Sequence, residues 1–374
     1  MVGGCVRDII MGRRPNDWDI CTSALPEEVI AVFPHSRPTG MQHGTVTVMI
    51  HGSSVEITTF RSDGEYKDHR RPDSVQFIAN LKGDLERRDF TSNALALPLS
   101  GEICDLFGGR DDIEKKRIRC VGDPNKRFSE DALRMLRAFR FSAVLGFEIE
   151  PLTLAAIKNN AHLSASLAKE RVRIELEKIL LSDSPQIISS VIEYGLLRAI
   201  VVENTSTPDL NVLKNLPKNR TLRWAGLCAL LMKSGVISNA ETFLTALRLD
   251  TATIRGCGAG CALTEKSAPA DELAWKKLLS ENGTVTGKCA AAACEVLHGS
   301  GHLKLLRSVL RIGECFSLRQ LAVSGDELMS LGFRGTEIGE VLSLLLNHVL
   351  EHPSNNEKVL LLDMAREKKT SGLL

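Results

Sequence analysis

The chain has 374 residues, of which 43% are hydrophobic and 25% are charged, values that are ordinary for a soluble globular protein of two or more domains. The formal net charge of +1 excludes a globally basic chain, so any nucleic-acid binding has to come from local groups of arginine and lysine. Aromatic residues make up only 5% of the chain, which argues against a broad base-stacking sheet.

The cysteines and the apolar runs indicate where the protein works. None of the ten cysteines forms a CxxC pair, and Cys257/Cys261 and Cys289/Cys294 lack histidines at the spacing of zinc ligands. The sequence therefore predicts free, mostly buried thiols, which suit a reducing compartment. No signal peptide precedes the first motif and no apolar run is long enough to span a membrane, so we expect a cytoplasmic protein without a membrane partner.

The first predicted element is a glycine turn that opens a short helix. Gly3 and Gly4 carry no Cβ and allow the backbone to approach a bound group closely, and the helix continues until Gly12. The strand that comes next carries two aspartates in a D-x-D pattern. Because side chains alternate along a strand, Asp17 and Asp19 are predicted to share one face.

Two neighbouring carboxylates repel each other unless a cation lies between them, and Mg²⁺ prefers hard oxygen ligands of this kind. A D-x-D pattern alone favours a surface strand with two solvated aspartates. The glycine turn, the adjacent Arg7-Asp8 pair and the two aspartates together are typical of phosphate transfer. We therefore predict that Asp17 and Asp19 bind Mg²⁺.

A short helix and then a β-hairpin follow in the chain. The hairpin consists of two alternating, β-branched runs at residues 44–50 and 54–60. Glu56 lies on its second strand. It is either a third carboxylate that faces the two aspartates or a solvated strand residue, and the pattern favours neither.

The polar stretch from Arg61 to Asp73 is predicted to be a mobile loop, since it is charged and contains glycine and proline. After it, Arg88 stands beside Asp89 in a charged turn between helices. The two form either a weak surface ion pair or an orienting pair that presents the guanidinium to a phosphate. A glycine turn at residues 105–109 then opens a further helix.

From about residue 129 onward the periodicity is helical. Asp131, Arg134, Arg137 and Arg140 recur every three residues and form one slowly turning stripe on a predicted helix. The alternative is a basic amphipathic helix with a solvated face. Behind a metal-binding domain we favour a functional stripe, in which Asp131 and Arg134 present an acceptor and donors together, as the edge of a base does. Arg137 and Arg140 would then meet phosphates.

The rest of the chain is predicted to be helical. Residues 170–181 form an amphipathic helix that packs beneath the stripe. Residues 186–350 form a series of amphipathic segments without a metal cluster, a nucleophile dyad or a repeat of fixed period. Residues 321–339 predict two helices joined by a glycine turn, which either holds a phosphate or only connects the helices.

Together these motifs resemble those of the class II CCA-adding enzymes, which are bacterial-type tRNA nucleotidyltransferases of the polymerase β-like superfamily. The resemblance is close from Gly3 to about Ser182 and looser at residues 321–339. The motifs that carry it are GG-x-V-R-D with D-x-D, Arg87–Thr91 with Asn93-Ala94, the turn at 105–109, and Glu130-Asp131 with Arg134.

The resemblance implies an α+β fold, with a small mixed sheet in an N-terminal nucleotidyltransferase head and with all-α neck, body and tail domains behind it. We place the head at residues 1–116, the neck at 117–182, the body at 183–300 and the tail at 301–374. The resemblance also implies that Asp17 and Asp19 are catalytic and bind Mg²⁺. The implied nucleotide-binding residues are Gly3, Gly4, Arg7, Arg88, Asp131, Arg134, Arg137 and Arg140.

The implied activity is the template-independent addition of CCA to the 3′ end of tRNA from CTP and ATP, with release of pyrophosphate. The body and tail are expected to grip the acceptor and TΨC arm of the tRNA, and no protein partner beyond a homodimer is implied. Alternatives on the same scaffold are an A-adding enzyme, a bacterial poly(A) polymerase and a non-catalytic tRNA-binding protein. The intact stretch at 61–73 argues against an enzyme that adds only CC, and the short tail argues against a poly(A) polymerase.

The sequence departs from the family pattern in two places. The family has a helix and most of a strand before the glycine turn, where this chain has only Met1-Val2. We therefore expect either a start that lies further upstream or a head that lacks an edge element. Ser92 stands where an apolar residue is commoner, which is a mild change.

Overall fold

The computed structural model describes residues 1–50, 52–64, 75–202, 207–265 and 267–370. The chain divides into two compact units, Met1–Glu203 and Asn204–Leu374. The first unit combines small β-sheets with helices, and the second is helical in its described residues. This order confirms the predicted α+β class, whereas the finer division into head, neck, body and tail stays a prediction.

A four-stranded mixed sheet forms the framework of the first unit. Its strands are β1 (Trp18–Thr22), β2 (Ser36–Gly40), β3 (Thr45–Ile50) and β4 (Ser53–Thr59), in the spatial order β1-β4-β3-β2. Strands β3 and β4 form the predicted antiparallel hairpin, and β1 pairs with β4 in parallel. Neither β2 nor the parallel pairing is indicated by the sequence pattern.

Two helices flank this sheet. Helix α1 (Gly4–Ile10) starts at the glycine turn, as predicted, and the chain leaves it through Gly12, whose φ of 67° is unfavourable for other residues. Helix α2 (Pro26–Val32) packs on the sheet, because its Val29 joins an apolar cluster with Val46, Val48 and Ile57. The alternation of the hairpin therefore provides the apolar face that holds α2.

The predicted mobile loop at 61–73 is wrong for its first residues. Arg61–Asp63 form strand β5, which pairs antiparallel with β6 (Val75–Phe77). The rest of the predicted loop, residues 65–73, lies outside the described residues.

Short elements lead from the sheets to the longer helices. They are α3 (Leu81–Glu86), a 3₁₀ turn (Thr91–Asn93), β7 (Leu95–Ala96), β8 (Cys104–Asp105), α4 (Gly109–Glu114) and β9 (Arg117–Ile118). The helices that follow in the first unit are α5 (Pro124–Glu130), α6 (Leu133–Leu145), α7 (Pro151–Asn160), α8 (Lys169–Leu180) and α9 (Ile188–Glu193). A two-residue strand β10 (Glu148–Ile149) pairs with β9, so the segment predicted to be all-helical contains a short parallel ladder.

One predicted helical position is wrong. Asp131 lies between α5 and α6 with an extended backbone, at φ −137° and ψ 102°. Its side chain accepts a hydrogen bond from the amide of Leu133 at 3.1 Å, at the start of α6. An aspartate in this place satisfies an amide that the helix itself cannot satisfy, which favours the break before α6. The stripe on α6 therefore consists of Arg134, Arg137 and Arg140.

The second unit is built from helices of very different length. They are α10 (Arg220–Lys233), α11 (Ala240–Ala246), α12 (Thr251–Thr264), α13 (Glu272–Leu297), α14 (His302–Ile312), α15 (Gly325–Ser330), α16 (Thr336–Glu351) and α17 (Lys358–Thr370). Helices α15 and α16 are the pair predicted at 321–339. All ten cysteines of the chain are free and eight are buried, which confirms the predicted thiols. None of the described helices combines the length and the apolar character that a membrane crossing requires.

Candidate active site

An open cavity of about 510 Å³ in the first unit brings most of the predicted site residues together. It lies where the glycine turn, the end of α3 and the start of α6 meet. Gly3 and Glu56 are the predicted site residues that lie outside its lining. The lining residues are Gly4, Arg7, Asp17, Asp19, Arg87, Arg88, Asp89, Asn93, Asp131, Leu133, Arg134, Arg137, Arg140, Phe141 and Arg171.

The two aspartates of the D-x-D pattern both face this cavity. Asp19 is the second residue of β1 and is half-buried, whereas Asp17 precedes the strand and is exposed. Burial raises the pKa of Asp19, the charge of Arg88 opposes this rise, and the neighbouring Asp17 adds to it. Two neighbouring carboxylates on one cavity wall fit a shared cation.

Glu56 has a different environment. It pairs with Asp19 across the parallel β1–β4 ladder, which places the two side chains on the same face of the sheet, but Glu56 is exposed. Within the described residues, no group of three histidine, cysteine, aspartate or glutamate side chains is arranged to hold a metal ion. The D-x-D pattern thus supplies two of the carboxylates that line the cavity, and the role of Glu56 stays a prediction.

The glycine turn lies against an arginine of the cavity. A Cβ added to Gly3 would lie 2.6 Å from Nη1 of Arg88, and the φ of Gly3 is 80°. The amide of Val2 donates to the carbonyl of Asp19 at 3.0 Å, so the turn and β1 are held beside each other. Gly3 is therefore required for the close approach of Arg88 to the turn, and Gly4 forms part of the cavity wall.

A buried chain of polar contacts connects α1 with α6. Arg7 donates to the Asn93 side-chain oxygen at 2.6 Å and forms an ion pair with Asp8 at 2.7 Å. The Asn93 amide nitrogen donates to Asp89 at 3.1 Å, and Arg137 pairs with the other oxygen of Asp89 at 2.5 Å. The amide of Asn93 uses its acceptor and its donor at once, which an aspartate or a leucine of similar size could not do.

These contacts control the charge of Asp89. Burial alone would raise its pKa, but the charge of Arg137 and the hydrogen bonds from Asn93 and Arg137 outweigh burial and hold the pKa of Asp89 well below its usual range. Burial alone would lower the pKa of Arg137, but the charge of Asp89 outweighs burial and raises the pKa of this guanidinium. Asp89 and Arg137 are therefore a fixed, fully charged pair.

The predicted pairing of Arg88 with Asp89 is wrong. Arg88 pairs with Asp84 at 3.2 Å, and Arg87 pairs with the other oxygen of the same carboxylate at 2.7 Å. Asp84 is buried in α3, three and four residues before the two arginines, which is the spacing that brings side chains together on a helix. A buried carboxylate thus holds Arg88 between the glycine turn and Asp19.

The arginines of α6 form ion pairs within the protein, which rules out the alternative of a basic amphipathic helix with a solvated face. Arg134 pairs with Glu130 at 2.7 Å and donates to the Arg87 carbonyl at 3.0 Å. Arg140 pairs at 2.5 Å with Glu175, a buried residue of α8. Burial lowers the pKa of Arg140, and Glu175 opposes that shift. Helix α8 therefore packs beneath the stripe, as predicted, and also supplies a charged partner.

Two further residues of the cavity have no signal in the sequence motifs. Phe141 is buried, and the guanidinium carbons of Arg7, Arg137 and Arg140 lie 5.3, 5.4 and 3.8 Å from its ring centroid. These distances are within the range of cation–π attraction, so the ring orders all three arginines. Arg171 of α8 pairs with Asp131 at 2.9 Å. Both contacts depend on packing between α6, α8 and the glycine turn, which sequence spacing does not show.

Comparison with known proteins gives an independent view of the same region. The family model "Poly A polymerase head domain" matches residues 1–119, and the model "Probable RNA and SrmB- binding site of polymerase A" matches residues 146–207. The chain is 37% identical over 372 residues to the CCA-adding enzyme of Limosilactobacillus fermentum, covering 98% of this chain and 92% of that protein. It is also 37% identical over 367 residues to the CCA-adding enzyme of a Geobacillus species, covering 96% of this chain and 90% of that protein.

A solved structure shows the same likeness. The crystal structure of the Bacillus stearothermophilus CCA-adding enzyme in complex with CTP superposes with a TM-score of 0.83 at 33% identity. The match covers 99% of this chain and 94% of that chain. The matched residues therefore extend through both compact units.

Proposed function

The chain belongs to the family of CCA-adding enzymes, and from this premise we propose that it adds CCA to the 3′ end of tRNA with CTP and ATP as substrates. In this reaction the tRNA 3′-hydroxyl attacks the α-phosphate of the nucleotide and pyrophosphate leaves. The observation that carries the proposal is the convergence of the D-x-D aspartates, Asp131 and several arginines on one cavity. The free, buried thiols suit a cytoplasmic setting.

Asp17 and Asp19 would hold Mg²⁺, because they are adjacent hard ligands on the cavity wall. When bound, the ion activates the attacking oxygen and offsets the charge of the leaving pyrophosphate. Two protein carboxylates leave the remaining ligand positions to substrate phosphates and water, as is usual for this ion.

The triphosphate would lie against the glycine turn, Arg7 and Arg88. Each of the two arginines already has a carboxylate partner, Asp8 and Asp84 respectively. Such partners fix a guanidinium in one orientation, so little freedom is lost when phosphate binds. The protein thus contributes position and charge, which are its main contributions in phosphate-transfer chemistry.

Asp131 and Arg134 would read the base. Cytosine and adenine both place an amino donor beside a ring-nitrogen acceptor, whereas uracil and guanine place a carbonyl beside an N–H donor. An acceptor on Asp131 and a donor on Arg134 match the first pattern and oppose the second. One pair of side chains can therefore accept C and A and reject U and G without a template strand.

The tRNA would bind through its acceptor and TΨC arm, with the helical part of the chain as the gripping surface. This part of the proposal is supported by family membership alone. Base reading, in contrast, is supported by the position of Asp131 and Arg134 in the cavity lining.

The experiment uses tRNA transcripts that end before CCA or after CC, incubated with Mg²⁺ and with CTP and ATP separately and together. We expect growth by C, C and A on the first transcript and by A on the second. The Asp17→Ala protein serves as the control and should add no nucleotide. A addition only to the transcript ending in CC, or long A tails, would contradict the proposal and identify an A-adding enzyme or a poly(A) polymerase.

A further inference from the structure

Asp131 is held by a contact that comes from another helix. Arg171 donates from its two terminal nitrogens to the two oxygens of Asp131, at 3.3 and 2.9 Å. The side chains are 26% and 16% exposed, and both residues line the cavity. Asp131 lies in the break between α5 and α6, where the Leu133 amide holds Oδ1 alone, and the contact with Arg171 constrains both oxygens of the carboxylate.

The contact with Arg171 orients the Asp131 carboxylate and leaves it able to accept a further hydrogen bond. A carboxylate accepts about four hydrogen bonds. Oδ1 accepts from Arg171 and from the Leu133 amide, while Oδ2 accepts from Arg171. Oδ2 therefore keeps an acceptor direction for the amino group of a base, and the bidentate contact sets where that direction points.

We propose that Arg171 is a positioning residue for nucleotide selection, which fixes the Asp131 carboxylate at the place where the amino group of cytosine or adenine is accepted. This inference rests on the proposed function. A purine carries its amino group farther from the sugar than a pyrimidine does, so the balance between CTP and ATP depends on where the acceptor stands. A carboxylate released from Arg171 takes up other positions and changes that balance.

Lysine is not an equivalent residue at this position. Its ammonium is a single point of charge on a flexible stem and does not form a planar bidentate contact with a carboxylate. The Arg171→Lys protein therefore keeps the charge and loses the orientation of Asp131, and the Arg171→Gln protein loses both. A purely structural role would instead slow CTP and ATP incorporation by the same factor.

The test measures kcat/KM for CTP on tRNA ending before CCA and for ATP on tRNA ending in CC, in the full-length protein with Mg²⁺. We expect the CTP-to-ATP ratio to change by about tenfold in Arg171→Lys and in Arg171→Gln, the size expected when a charge-assisted hydrogen bond is lost. Lys178→Gln, an exposed charge loss on the same helix, should leave the ratio unchanged.

A double substitution tests whether Arg171 acts through Asp131. In the Asp131→Ala background, which has no acceptor for Arg171, Arg171→Gln should produce no further change in the ratio. An additional change there, or an unchanged ratio in both single Arg171 variants, would overturn the inference while leaving the proposed function intact. If Arg171→Gln does not fold, Arg171→Lys decides the question. Absence of CCA addition by the unmodified protein would overturn the proposed function and this inference together.

Discussion

The two compact units differ in what their described interiors contain. In the second unit the buried polar residues are Arg223, Thr253, Thr264 and Lys276, with no carboxylate among the described buried positions. In the first unit, the buried charged residues Arg7, Asp89 and Arg134 line the cavity. Two others, Asp84 and Glu175, pair with arginines of the cavity lining. The buried charged residues of the first unit are Arg7, Asp84, Asp89, Asp112, Arg134 and Glu175.

The second unit achieves its packing with small side chains. A Cβ added to Gly260 of α12 would lie 2.7 Å from the Ala290 amide nitrogen and 2.7 Å from the Cys289 Cβ on α13. The Cys257 and Cys289 sulfurs lie 3.9 Å apart. Burial also raises the pKa of the neighbouring Cys261 thiol to about 12, so it stays neutral. The two helices therefore approach closely through neutral, compact side chains.

The difference follows from the cost of buried charge. Removing an ion from water costs several kcal/mol even after relaxation of the protein, so a buried ion is destabilising unless it is paired. The first unit keeps such ions and pairs them, and all of them except Asp112 lie at the cavity or pair with its arginines. We therefore expect substitutions of the charged residues at the cavity of the first unit to change catalysis, and interior substitutions in the second unit to change stability only.

The largest effect is expected for Asp19→Asn. The change removes one of the two charged oxygen ligands proposed for Mg²⁺ and should lower the single-turnover rate of CTP incorporation on the order of a thousandfold. Asp111→Asn is the matched control, because Asp111 is an exposed carboxylate of the same unit, paired with Lys115. A rate for Asp19→Asn within about tenfold of the control would contradict the assignment of Asp19.

Asp89→Asn should reduce both stability and activity. It leaves Arg137 without its buried partner, so we expect the free energy of unfolding to fall by about 3 kcal/mol at pH 7. Because the folded pKa of Asp89 is depressed, its contribution is complete above the unfolded value of about 4 and is lost as the pH falls below it. Urea unfolding should therefore show that the difference in the free energy of unfolding between the variant and the unmodified protein is smaller below pH 4 than at pH 7. A gap that stays constant or widens would contradict the charged Asp89–Arg137 pair.

Gly260→Ala tests the second unit. Separation of α12 and α13 should cost more than the gain of about 1 kcal/mol in helix propensity, so we expect a net loss of about 2 kcal/mol. Gly339→Ala is the control, because a Cβ at this exposed position of α16 meets nothing within 4 Å and should be stabilising. Calorimetry should show the midpoint falling in the first variant and rising in the second. Loss of CCA addition by folded Gly260→Ala protein would contradict a purely structural role for this interior.

The smallest effect is expected for Asp84→Asn. Without the carboxylate charge, Arg88 is held less firmly, and we expect the KM for CTP and for ATP to rise by about tenfold, or 1.4 kcal/mol. Because both substrates carry the same triphosphate, the ratio of the two KM values should not change. Steady-state kinetics with each nucleotide measures this, and a selective effect on one nucleotide would contradict the placement of Arg88 at the triphosphate.

Much of the fold could be predicted from local patterns. The alternation at 44–50 and 54–60 specifies the hairpin, and the glycines specify the ends of α1. The parallel pairing of β1 with β4 could not be predicted, because it joins residues about forty positions apart and leaves no local pattern. The two-residue β9–β10 ladder could not be predicted for the same reason, because it also joins residues that are distant in sequence.

The candidate site shows the same division. Asp17, Asp19, Arg7 and Arg88 could be identified because their residue types and spacing suit phosphate chemistry. Their partners could not, since neighbours in sequence were not neighbours in space: Arg88 pairs with Asp84 rather than Asp89. Asp131 was placed on the helix because periodicity does not distinguish a helical residue from one that satisfies the amide of a helix start.

The central claim is that the side chains of one cavity select the nucleotide without a template, and the most direct measurement is nucleotide selection by Asp131→Ala. Incorporation of CTP, ATP, UTP and GTP is compared between this variant and the unmodified protein on tRNA ending before CCA and after CC, with folding checked by circular dichroism. We predict that C and A incorporation falls and that the preference for C and A over U and G is lost. A variant that is slower but keeps the full preference would contradict base reading by Asp131.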